Sequence, residues 1–131
     1  MGVSALHKQL KAGGAVYGAK FPAEALAAAS RDLGLAWYVV ECGRAKTQSA
    51  LLNAVEHALD FPGHFGHNLD AMYDCLTDLV LEHDKGMVIL LQHWHEDDER
   101  QKEDNKKFTQ VFEDAVEFAR ENGKAFSVIV G

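Results

Sequence analysis

The run GMVILLQ, residues 86–92, constrains the fold of this chain more than any other stretch. It is almost continuously apolar, and a strand of that composition must be covered on both faces. Helical crossovers between parallel strands provide that cover. Two other runs share its β-branched and aromatic character, LAWYVVE at 35–41 and AFSVIV at 125–130. The stretches between them place apolar residues at helical spacing. TQSALLNAVEHALD sets Leu51, Leu52, Val55 and Leu59 on one side, with Thr47 or Ser49 available as cap. Asn68 can cap a helix over 69–82, LDAMYDCLTDLVLE. KFTQVFEDAVEFARENG carries a stripe of Phe108, Val111, Phe112, Ala115 and Phe118 and stops at Asn122–Gly123. The polar segment before it, HWHEDDERQKEDNKK, has room for a short helix. The order strand, two helices, strand, helix, strand predicts an α/β fold with a small three-stranded parallel sheet packed with helices.

Upstream, SALHKQLKAGG reads as a short helix from Ser4 to the glycines. AVYGAKF reads as an extended or irregular link. PAEALAAASRDLG reads as a helix with Pro22 in its first turn and Gly34 just past its end. The 131 residues are expected to form a single domain, with 1–34 as an N-terminal helical extension and 35–131 as the core. No apolar run approaches the roughly 20 residues that span a bilayer. The first residues lack a long apolar segment of the secretory kind, so a cytoplasmic location is expected. Cys42 and Cys75 lie beside apolar residues and read as reduced, partly buried thiols, a disulfide or redox pair being the alternative. The net charge of −7, from 20 acidic and 13 basic residues, argues against nucleic acid as a direct partner. It is compatible with a basic protein partner.

The stretch FPGHFGHNLDAMYDCL, 61–76, crowds histidines, rings and carboxylates together. On the helix 69–82, Asp70, Asp74 and Asp78 are four residues apart. At roughly 100° per residue they share one narrow sector, with Thr77 inside it and Tyr73 at its edge. Leu69, Met72, Leu76, Leu79 and Val80 fall on the opposite side, so the core is satisfied without the carboxylates. A solvated acidic face is the plain reading. Against it, the preceding loop brings His64, Phe65 and His67 to the same face, and Gly63 and Gly66 allow that loop unusual backbone shapes. Rings beside charges are the composition of a binding hot spot.

FPGHFGHNLDAMYDCLTDL, 61–79, resembles the signature segment of the barstar family, intracellular inhibitors of barnase-type ribonucleases. The shared features are the Phe-Pro entry, the aromatic-Gly-x-Asn-Leu-Asp run and the aromatic-Asp-Cys-Leu that follows. A weaker resemblance extends over 35–131. The resemblance implies a barstar-like fold and a protein that plugs a ribonuclease active site with the signature helix and the loop before it. It implies neither catalysis nor a cofactor on the inhibitor's side. Carried over by motif, Asp74 takes the central carboxylate, which stands in for a substrate phosphate. His64 and Phe65 fall on two tyrosines of the binding loop. Gly66, Asn68 and Asp70 fall on identical residue types, Thr77 on a contacting threonine, and Tyr73 on a tryptophan. Asp114, in VFEDAVEF, falls on a glutamate that contributes to binding. The chain departs from the pattern at His64, at Phe65, which loses a hydroxyl, at His67, which replaces an acid, at Asp114, and at Leu79, which replaces a second tryptophan. The implied partner is a basic ribonuclease or ribonuclease-like toxin, and these departures bear on which one.

Two other classes compete. A metal-dependent hydrolase would use His64, His67, Asp70 and Asp74, with His93 and His95 nearby. However, His64 and His67 lie in a glycine-containing loop and not on one helix face. A binding or assembly module would keep the fold without inhibiting a ribonuclease.

Overall fold

A computed structural model describes residues 2–17, 21–61, 68–94 and 102–131. The elements are α1 (Gly2–Ala12), β1 (Gly14–Tyr17), α2 (Ala23–Asp32), β2 (Ala36–Glu41), α3 (Gln48–Leu59), α4 (Leu69–Glu82), β3 (Gly86–Gln92), α5 (Lys102–Glu121) and β4 (Ala125–Val130). All strand pairs are parallel, in the order β1-β4-β3-β2. The α/β class and the parallel sheet agree with the sequence reading. The strand count does not: there are four strands, not three. The fourth is β1, which takes Gly14 and the first three residues of the stretch read as an extended or irregular link. Its four residues carry little strand signal of their own. They are extended because they pair with β4, from Gly14 opposite Ser127 to Tyr17 opposite Val130.

Helix boundaries follow local chemistry. Thr47 caps α3, its Oγ1 accepting from the Ala50 N–H at 3.1 Å. Gly34 and Gly123 follow α2 and α5 with φ of +72° and +71°, the left-handed conformation that closes a helix. α5 begins at Lys102, six residues before Phe108, its first fully buried residue, and those six residues are polar.

β2, β3 and β4 each feed two cores. Val40, Met87, Ile89, Leu91, Phe126, Val128 and Val130 pack with α3, α4 and α5. Val88, Leu90 and Ile129 point the other way, against Leu6 and Leu10 of α1 and Leu26 and Ala29 of α2. The double cover demanded by GMVILLQ is therefore achieved, and one half of it comes from residues before 35. Among the described residues, no helix is long and apolar enough to cross a membrane.

Both cysteines are free thiols. Cys42 is fully buried at the end of β2, and burial, followed by the charge of Glu41, pushes its pKa from 9.0 up to about 12. At pH 8 that shift lowers the thiolate fraction by about a thousandfold, since each pKa unit is a factor of ten. Iodoacetamide at pH 8 is therefore expected to label Cys42 at least about a thousandfold more slowly in the folded than in the unfolded chain, as followed by peptide mass spectrometry. The same shift fixes the sign of a stability effect. The proton retained by the folded state stabilises it fully below pH 9, and that contribution fades as pH rises from 9 towards about 12.

Candidate functional site

α4 starts where Asn68 turns the chain. Asn68 is extended, with φ −134° and ψ 167°, and its Oδ1 accepts from the Ala71 N–H at 2.8 Å. Met72, Leu76 and Val80 are fully buried. Asp70, Asp74 and Asp78 are exposed on the opposite side, as the spacing predicts. Asp70 lies in the first turn, where the helix dipole favours a negative charge. The half-buried Thr77 donates from Oγ1 to the Asp74 carbonyl oxygen at 3.0 Å, so its hydroxyl is turned back on the helix. Asn68→Ala is expected to cost about 1 kcal/mol of stability by removing the cap, read as a lower midpoint in urea with an unchanged slope.

α5 packs along α4, and between them runs a groove of about 260 Å³. Leu69, Asp70, Tyr73 and Asp74 line it from α4, Val111 and Asp114 from α5. Asp70, Tyr73, Asp74 and Asp114, singled out from sequence, thus come together at one place. Asp114 is steadied by Gln110, whose Nε2 donates to Oδ1 at 3.0 Å. Among the described residues lining this groove there is no Lys or Arg. Among the described residues, no ion pair engages Asp70, Asp74 or Asp114. Of the other sequence candidates, Thr77 and Asn68 are on α4 or at its cap but outside the groove lining. His64, Phe65, Gly66 and His67 lie outside the described residues.

Sequence reasoning passed over Leu69, Gln110 and Val111 as site residues. Leu69 and Val111 were assigned to apolar stripes, and the stripe edge is what floors the groove. Gln110 is four residues before Asp114, a spacing that signals a side-chain hydrogen bond on a helix.

The arrangement presents carboxylates on two rigid helices around a shallow, partly apolar floor. It suits cationic donors such as Arg and Lys, which pair with carboxylates as they do with phosphate. Cys75, half-buried on α4, is not equipped as a nucleophile. Burial first, then the charges of Asp78 and Asp74, raise its pKa and hold it as a thiol. Among the described residues, no group of three or more His, Cys, Asp or Glu is placed to hold a metal ion. His93 instead bonds Glu41, Nδ1 to Oε1 at 2.8 Å, and His95 lies outside the described residues. A larger cavity, about 530 Å³, opens where β3 and β4 begin, with Lys11, Lys85 and Lys124 beside Asp32 and Asp84. There Lys124 Nζ already donates to the His83 and Asp84 carbonyls at 2.8 and 2.9 Å.

None of the curated proteins matches the chain. A family model described as Barstar (barnase inhibitor) matches residues 35–131, from just before β2 through β4, and so takes in α4, α5 and the groove between them. With about three quarters of its length under that match, the chain belongs to the barstar family.

Proposed function

We propose that this chain inhibits a basic ribonuclease, or a ribonuclease-type toxin, in the cytoplasm by seating α4 and the loop before it over the enzyme's active site. The observation that carries the reading is the groove in which Asp70 and Asp74 of α4 meet Asp114 of α5, with no Lys or Arg among the described residues of its lining. A ribonuclease must bind a phosphodiester, so its pocket holds Arg, Lys and His donors. Asp74 on a rigid helix offers those donors a carboxylate in place of the phosphate. Asp70 and Asp114 extend the negative field, Tyr73 supplies a ring, and Asn68 and Thr77 fix the helix that presents them. His64, Phe65, Gly66 and His67, just ahead of α4 in the sequence, complete the contact in this reading. The net charge of −7 speeds encounter with a basic partner at low salt. No bond is made or broken by the inhibitor.

The test is titration of the chain into an RNA cleavage assay with a barnase-type ribonuclease. Loss of cleavage at near-stoichiometric inhibitor is expected. Undiminished cleavage with the chain in large excess, for every barnase-type enzyme and every co-encoded ribonuclease tried, rejects the reading and leaves a binding module with the inhibitor's fold.

A further inference from the structure

The acidic groove does not end at Asp114. A second hollow of about 470 Å³ continues it, sharing Leu69, Asp70 and Val111 but edged by Glu103, Lys106 and Lys107 of α5. Across α5, on its other flank, a third hollow of about 480 Å³ is lined by Tyr17, Trp94 and Lys102, and again by Lys106. Lys106 therefore stands on a crest between two hollows. Both Lys106 and Lys107 are exposed, and among the described residues neither is in an ion pair.

Scale makes the crest matter. A helix with its side chains is about 10–12 Å wide. A standard protein–protein interface covers about 800 Å² on each partner, a patch roughly 30 Å across. An enzyme seated over Asp74 and Asp114 must overlie the crest as well. There the sign of charge reverses. A ribonuclease whose basic surface continues past its pocket meets two ammonium groups, only partly offset by Glu103. One with carboxylates on its rim meets complementary charge. Like-charge contacts at an interface work against the wrong partner while leaving the right one untouched.

We propose that Lys106 and Lys107 are specificity-determining residues, which disfavour ribonucleases with a basic rim and admit those with an acidic one. The inference rests on the inhibitor reading above. It is tested with purified barnase as the probe, using the full chain, the double variant Lys106→Glu/Lys107→Glu, and Asp74→Ala. Cleavage is assayed at two salt concentrations for barnase as it is and for barnase carrying acidic substitutions at the rim positions that face α5. Against unaltered barnase, the double variant is expected to inhibit about tenfold more tightly than the parent, with the gain shrinking at high salt. Against acid-rimmed barnase, the order is expected to reverse. An unchanged or weaker inhibition of unaltered barnase by the double variant, with Asp74→Ala still disabling, overturns the role of the lysines and leaves the inhibitor reading standing. Failure of the parent and of the double variant to inhibit either form of barnase overturns both. Circular dichroism checks that each variant is folded.

Discussion

Asp74→Ala is expected to weaken the complex with the target ribonuclease by about 3–5 kcal/mol, the range for removing one member of a buried charge pair. At about 1.4 kcal/mol per tenfold, that is a loss of roughly two to four orders of magnitude in affinity. Little of it comes from the chain's own fold. Asp74 is exposed, and among the described residues it makes no ion pair that the substitution breaks. Alanine is also a better helix former than aspartate. Thr77 donates to the backbone carbonyl of residue 74, which alanine retains. Thermal stability should stay within about 0.5 kcal/mol of the parent, the usual range for a surface substitution. The loss arises in the complex, where the enzyme's cationic donors remain desolvated with nothing to pair with. It should therefore appear mainly as faster dissociation, measured by surface plasmon resonance or inhibitor washout. Inhibition that survives Asp74→Ala intact would show that the site is elsewhere on the molecule.

The largest effect on stability is expected at Gly86. This residue opens β3 with φ of +131°, a conformation that side chains rarely adopt. It pairs with Ala125 at the start of β4, where the Ala125 N–H donates to the Lys85 carbonyl at 2.9 Å. A Cβ on residue 86 would lie 1.8 Å from the Ala125 carbonyl oxygen and 2.7 Å from its carbon. Two penalties combine in Gly86→Ala. The backbone must hold a disfavoured φ, and two central strands must separate against packed neighbours on both faces. A loss of about 4 kcal/mol or more follows, which belongs to the exceptional class of single substitutions and is a large share of a typical 5–15 kcal/mol total. Gly123→Ala is the control. Its φ of +71° lies in the left-handed region, and there is open space around the added carbon. Its cost should stay near 1–2 kcal/mol, the price of a left-handed conformation alone. Guanidinium unfolding of the two variants separates the causes. Equal costs would show that steric exclusion at the β3–β4 junction contributes nothing.

How much of this was legible in the sequence depends on where each signal lies. α4 was readable to its ends because the cap, the apolar period and the terminus are all local. Asn68, Met72, Leu76 and Val80 lie within a single stretch of chain. β1 was not readable, because Gly14–Tyr17 become a strand only through pairing with a segment at the other end of the chain. The residues before 35 looked like an appendage, since they carry no family signature. Yet Leu6, Leu10 and Leu26 cover the sheet face that Val88, Leu90 and Ile129 present. The clue was in GMVILLQ itself, which demanded cover on both faces without naming its source. At the candidate site, the carboxylates of α4 could be placed by counting residues. The approach of Asp114 could not, because it depends on how α5 lies along α4, a packing outcome that the sequence pattern does not encode.

The pairing of β1 with β4 also bears on how the chain acquires its fold. Gly14 and Ser127 are 113 positions apart, and the strand that receives β1 is the last element in the order. Parallel strands so distant in sequence close slowly, because a long loop must be ordered before any contact offsets that loss of entropy. On a ribosome emitting about 5–20 residues per second, α1 and β1 emerge seconds before their partner exists. Over that interval β1 cannot be joined to β3, because β4 lies between them. The sheet can close only after β4 emerges, which makes the growing chain a candidate for chaperone capture until then.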